Sequence, residues 1–287
     1  MAQTFHTYEQ QLDKLMFEKM LSIPNRVQAR NILEKISYYS LINGYKEPFK
    51  HSASGNYKHG VTFDEIVSFY HFDEELRALF LKYILHIERH MKSLISYYFC
   101  EKFGNQQQMY LDINNYILTK KNRGEVNKYG NVPLWVVMNA LTFGQVSKLY
   151  QYIPNDIQYK ISKKFSNVTE RELHQFITVI AKCRNICAHG ERLFSFHIRE
   201  TIPNTILHDK LNISIKKGQY VRGKQDLFAV VIALRYLVDN EEFKAFKAEL
   251  TRNIKRVLKK CPHISKEQLL KEMGFPLNWD KITRFKK

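Results

Sequence analysis

Apolar residues recur at steps of three and four along most of the 287-residue chain, the spacing that lines one face of an α-helix. The longest stripe passes through Leu76, Leu79, Phe80, Tyr83, Ile84, Ile87, Met91, Leu94 and Ile95. Thr62 and Glu65 fit a capping box ahead of it, in which each side chain satisfies an otherwise orphan backbone N–H. This helix is expected to run to about Gly104, with a break near His71-Phe72-Asp73. Thr169 and Glu172 make a second box, opening a helix over 170–188 with Gly190 just beyond. Shorter helices are expected over 8–20, 26–42 (stopped at Gly44), 134–141, 143–153 (after a hinge at Gly144), 156–165, 226–238, 241–260 and 265–273. Residues 198–223 are least helical. There 211–215 alternates and Lys217-Gly218 reads as a turn, which fits a small β-hairpin. The fold class is all-α.

A hydrophobic content of 44% with 13% aromatics excludes a disordered or collagen-like chain. Only 11 Gly and 7 Pro occur, with no Ser/Gly/Pro-rich linker, so one continuous body with additions is expected. Within it the boundaries fall at 1–60 for an N-terminal helical extension, 61–240 for the bundle and 241–287 for a basic C-terminal segment. Lys+Arg 45 against Asp+Glu 28 gives +17. Such an excess implies a polyanionic partner, nucleic acid before anionic membrane. Nineteen Lys/Arg against nine Asp/Glu place +10 of that charge in residues 201–287. No apolar run reaches the about 18 residues that a span requires, MAQTFHTYEQQ lacks a signal-peptide apolar region, and the four cysteines include no CxxC pair. These readings predict a cytoplasmic, reduced, soluble protein without a membrane partner.

Chemistry concentrates in Cys183-Arg184-Asn185-Ile186-Cys187-Ala188-His189-Gly190. Cutting RNA with its own 2′-hydroxyl needs a group to take that proton, another to protonate the departing 5′-oxygen, and positive charge on the phosphorane. Histidine can do either proton transfer. Arginine cannot act as a base, but its planar fork holds two phosphate oxygens and offsets their developing charge. Positions five apart on a regular helix diverge by about 140°, so Arg184 and His189 can face one phosphate only if the helix loosens after Cys187 or if the site is composite. The string alone favours the plainer reading, a solvated arginine and a histidine beside the helix macrodipole. Cys183, Cys187, His189 and His174 lack structural-zinc spacing. Buried thiols are expected, with no metal and no cofactor.

The wider sequence separates these readings. It carries Tyr8-Glu9-Gln10-Gln11-Leu12, Tyr38-Tyr39-Ser40-Leu41-Ile42-Asn43-Gly44-Tyr45-Lys46-Glu47-Pro48-Phe49, Thr62-Phe63-Asp64-Glu65-Ile66 and Tyr70-His71-Phe72-Asp73-Glu74-Glu75-Leu76-Arg77. Then come Ile87-Glu88-Arg89, Pro133-Leu134-Trp135, Leu141-Thr142-Phe143-Gly144-Gln145-Val146-Ser147, and the segment from Arg184 through Gly190 to Glu191-Arg192-Leu193-Phe194. In this order the chain resembles the AbiF/AbiD-type abortive-infection proteins, a HEPN-superfamily group of bacterial phage-defence proteins, over about two-thirds of its length. The resemblance implies an all-α HEPN bundle whose R-x4-6-H motif cleaves RNA. Arg184 and His189 map onto that motif, Asn185 onto the frequent polar residue after the arginine, and Glu88 onto an acidic residue of an earlier helix that could orient Arg184. Where the family often shows a second histidine, this chain has Gly190. Some relatives are encoded beside a small structured RNA, which implies an RNA restraint.

One chain carries one motif, whereas in-line cleavage uses two proton-transfer groups. A two-fold dimer would supply both; in an active monomer Glu88, His174 or His197 would be the second. Candidate RNA contacts are Arg192 and, on the helix over 241–260, Lys244, Lys247, Arg252, Lys255, Arg256, Lys259 and Lys260. Lys120, Lys121, Arg123 and Lys128 in a turn-rich stretch complete the set. The leading expectation is a metal-independent endoribonuclease acting as a phage-defence toxin module. The competing one is a protein that holds a structured RNA without cutting it, and control by a protein antitoxin stays open.

Overall fold

The computed structural model describes residues 5–51, 54–116 and 133–285. Its order is α1 (Tyr8–Asp13), α2 (Arg26–Ile36), α3 (Phe63–Phe103), α4 (Gln107–Leu111), α5 (Leu134–Ala140), α6 (Phe143–Tyr152), α7 (Asn155–Ser162), α8 (Glu170–Ala188), α9 (Ile206–Lys210), β1 (Ile215–Lys216), β2 (Gln219–Tyr220), α10 (Leu227–Leu237), α11 (Asn240–Lys260) and α12 (Lys266–Glu272). The fold is all-α with one small antiparallel hairpin. Among the described residues no helix is long and apolar enough to cross a membrane.

The chain forms two compact units: Met1–Leu76 with Ala248–Glu272, and Arg77–Lys247 with Met273–Lys287. Helices α3 and α11 each contribute to both.

In the first unit, Tyr45, Phe49, Phe69 and Phe72 are buried around edge-to-face and stacked ring contacts 5.8–6.1 Å between centroids. The carboxylate of Glu65 accepts from the Thr62 N–H at 3.2 Å and meets His263 Nδ1 at 2.8 Å. Lys58 donates to the carbonyls of Pro48 and His263 at 2.8 and 3.1 Å. Arg256 pairs with Glu75.

In the second unit, Phe80 and Tyr83 of α3 pack against Phe246 of α11 at 5.1 and 5.2 Å. Helix α8 packs on α6, α7 and α10, and α10 is buried along its whole length. A helix apolar on nearly every side belongs inside a core, which makes α10 the centre of this unit; its buried Arg235 donates to Asn240 Oδ1 at 2.6 Å.

Four local expectations need correction. Helix α3 runs unbroken through His71-Phe72-Asp73. Asp73 is fully buried yet accepts a hydrogen bond from the Tyr45 hydroxyl at 2.8 Å, so the polar residue has a partner and the helix has no reason to stop. Residues 26–42 do not form one helix: α2 ends at Ile36, Ser37 turns left-handed at φ 68°, and Tyr39–Asn43 is a separate π-helical turn. Gly44 caps that turn in a right-handed conformation, φ −70°, rather than as a left-handed stop of a helix begun at Arg26. The break before α6 lies at Thr142, whose hydroxyl accepts from the Gln145 N–H at 3.3 Å, while Gly144 sits inside the helix. Finally, Leu211 and Ile213 follow α9 outside the strands, which occupy only 215–216 and 219–220. The Lys217-Gly218 turn holds, with both residues at positive φ (51° and 76°) as a tight two-residue hairpin requires.

Candidate active site

The motif helix is capped as its sequence predicts. Thr169 Oγ1 accepts from the Glu172 N–H at 3.3 Å, and Glu172 returns the contact to the Thr169 N–H at 2.9 Å. From there α8 buries Leu173, Phe176, Ile177, Ile180, Cys183 and Cys187. That stripe leaves Arg184 at the edge of the core and Lys182 and Asn185 in solvent. Cys183 and Cys187 are buried free thiols, and burial pushes the Cys183 thiol up, as expected of packing residues.

The helix stops at Ala188. His189 is the cap residue at φ −92°, ψ 3°, and Gly190 takes φ 69°. The Gly190 and Glu191 N–H groups turn back to the Cys187 and Ile186 carbonyls at 3.4 and 3.1 Å, the Schellman closure that a left-handed residue at this position allows. His189 is therefore exposed where the regular helix ends. The chain just beyond is tied to α3, because buried Arg77 donates to the Glu191 carbonyl at 3.3 Å.

Glu88 comes from α3, between the buried Ile87 and Met91. Only 6% exposed, it needs cationic partners, because an ion removed from water and left unpaired costs several kcal/mol. It has two: Arg184 Nε donates to Oε2 at 3.3 Å, and Lys92 Nζ reaches Oε1 at 2.9 Å. Arg184 is only partly buried, with 27% of its side chain exposed. One edge of the guanidinium is thus occupied by Glu88 while the group still reaches solvent. Asn185 stands exposed beside it. Lys92 escaped the sequence reading, although its four-residue spacing from Glu88 on a helix was the available signal. Trp135 and Arg89, which lie near Glu88 along a common cavity, were missed as site residues for want of any local signal.

The other predicted groups scatter. His174 is half-buried, and burial lowers its pKa. His197 is exposed, on a segment bridged to Asp226. Among the described residues no group of three or more His, Cys, Asp or Glu is gathered as metal ligands would be. Of the seven α11 cations, Lys244 pairs with Glu241 at 2.7 Å, Lys247 donates to Thr283 Oγ1 at 2.8 Å, and Arg256 holds Glu75 and Asn253. Arg252, Lys255, Lys259 and Lys260 are exposed and have no ion-pair partner among the described residues. Arg192 is exposed just past the motif. Lys120, Lys121, Arg123 and Lys128 lie outside the described residues.

Fold and site together define an all-α protein with an arginine held by a buried glutamate and a histidine at the end of the same helix. The chain belongs to the Abi-like protein family, whose model matches residues 31–195. That membership places it among abortive-infection proteins and points to phage defence. The matched region contains Glu88, Arg184 and His189. Compared with curated proteins and with solved structures, the chain has no match.

Proposed function

We propose that this chain is a metal-independent endoribonuclease of the HEPN type, in the AbiF/AbiD branch, acting as an abortive-infection toxin. The reading rests on one observation above all. A buried carboxylate on α3 holds a partly exposed guanidinium on α8, five residues before an exposed histidine where that helix ends.

In the proposed reaction the 2′-oxygen forms a bond to phosphorus as the bond to the 5′-oxygen breaks. His189 serves one of the two proton transfers, at the 2′-hydroxyl or at the leaving oxygen. Arg184 donates to the phosphoryl oxygens, where negative charge grows most in the transition state. Glu88 positions Arg184 by occupying its Nε. A second copy of the motif across a two-fold axis would contribute the other proton-transfer group. The exposed α11 cations suit a small structured RNA that restrains the toxin until infection.

The test is cleavage of a mixed RNA pool in EDTA by wild type, Arg184→Ala and His189→Ala. The expected result is 2′,3′-cyclic phosphate and 5′-hydroxyl ends from wild type, with each variant slower by at least about 100-fold. Equal cutting by His189→Ala would remove the histidine from the mechanism. Loss of wild-type cutting in EDTA would replace this chemistry with a metal-dependent one.

A further inference from the structure

We propose that the cavity between the middle of α3 and α5 receives an unpaired nucleotide of single-stranded RNA, with the base against Trp135 and the phosphates against Lys82 and Arg89. The inference rests on the RNA-directed reading above and names the form of RNA that the same site takes.

The cavity measures about 670 Å³, within the about 300–1,000 Å³ typical of small-ligand pockets. Its wall on α3 carries Lys82, Leu85, Arg89 and Lys92 at three- and four-residue steps, along one face of the helix. Tyr83, Ile84, Ile87, Met91 and Ile95 of the same helix are core residues. This face is therefore left over from folding.

Charge and ring chemistry then select the occupant. Among the described residues, neither Lys82 nor Arg89 has an ion-pair partner. The carboxylate in the wall, Glu88, is already held by Lys92 at 2.9 Å and Arg184 at 3.3 Å. Positive charge therefore remains for an anion to neutralise. Trp135, on the facing helix α5, lines this cavity and is 47% exposed overall, and Leu85 on α3 is 42% exposed. An indole face among cations is the platform on which unpaired bases stack, with Asn139 in the same wall as a hydrogen-bonding group. A duplex keeps its base faces covered by neighbouring pairs and cannot offer one to the ring. Glu88 joins the two places: it lines the cavity, and its other oxygen holds Arg184.

The test uses the fluorescence of Trp135. The chain has two tryptophans, and the other, Trp279, is only 3% exposed. The His189→Ala protein is titrated with a 12-nucleotide unstructured RNA and, separately, with a blunt duplex of the same sequence. We expect saturable quenching by the single strand, little by the duplex, and about 10-fold weaker single-strand binding after Trp135→Ala, with Trp135→Phe intermediate. Lys82→Ala and Arg89→Ala should each reduce the slope of log affinity against log salt by about one. Trp135→Ala binding as tightly as its parent, or a duplex that quenches equally, would overturn the proposal. Cyclic-phosphate cleavage by the wild type without any role for Trp135 would remove this inference alone. Quenching by single strands without cleavage by the wild type would remove the nuclease reading and leave the cavity assignment standing.

Discussion

Helix α3 carries two buried glutamates, one expected from the sequence as a cap and the other as a site residue, and their surroundings differ. Glu65, at its start, is 5% exposed and closed in by the Thr62 N–H and by His263. Glu88, in its middle, is equally buried, and the partners Arg184 and His263 are about equally exposed (27% and 29% of their side chains), but the Glu88 side chain also lines an open cavity. A buried, paired carboxylate is thus no functional signal by itself. What separates the two is the chemistry of the partner and the opening beside it: Glu65 ties together segments distant in sequence through a histidine, whereas Glu88 holds a permanently charged guanidinium and lines a cavity.

The sharpest way to break this contrast is to remove each carboxylate in turn. Glu88→Gln should lower the RNA cleavage rate by about 100-fold, because a misplaced guanidinium loses transition-state contacts. Glu65→Ala should leave the rate per folded molecule unchanged. A common effect on single-turnover rates would erase the distinction. The next largest effect is on the fold. Urea denaturation of Glu65→Ala should show a loss of about 1–3 kcal/mol, the range for leaving buried polar partners unsatisfied.

A third buried group extends the comparison to pH. His208 is fully buried; its Nε2 donates to the Gly223 carbonyl at 2.9 Å and its Nδ1 accepts from the Thr205 N–H at 3.1 Å, the latter possible only for the neutral ring. Burial lowers its pKa. Below the unfolded value of about 6.5 the unfolded chain therefore binds a proton that the native state refuses, and stability falls as pH drops through that value. His174, half-buried and also lowered by burial, acts in the same direction. His208 contributes a slope of at most about 1.4 kcal/mol per pH unit. Denaturation midpoints between pH 7.5 and 5.5 should decline, and less steeply in His208→Gln. The smallest effect belongs to the surface. Lys255→Ala should weaken RNA binding only a few-fold and shift the salt slope by about one, with the cleavage rate at saturating RNA unchanged.

Much of this architecture could be read from residue order, because capping and amphipathic spacing are local. The Thr169–Glu172 cap, the apolar stripe of α8 and the closing Gly190 are of that kind. What escaped depends on distant partners. The uninterrupted α3 follows from Tyr45 meeting Asp73, and nothing near Asp73 in sequence announces that tyrosine. The left-handed Ser37 has no glycine to mark it. Thr142-x-x-Gln145 was a legible cap passed over in favour of the neighbouring Gly144. The Glu88–Arg184 pairing, across 96 positions, was anticipated through family resemblance rather than through any spacing rule. The cavity beside it, which needs α5 to face α3, was not anticipated at all.

The central claim is that RNA is cut here by its own 2′-oxygen, with His189 and Arg184 doing the work. The most direct measurement takes one RNA that the wild type cleaves and replaces the nucleotide on the 5′ side of the cut by its 2′-deoxy form, all else unchanged. Cleavage at that bond should vanish while neighbouring sites are cut as before. Undiminished cutting at the deoxy position would mean that the attacking oxygen comes from elsewhere, and the assignment of these two residues to internal transesterification would fall.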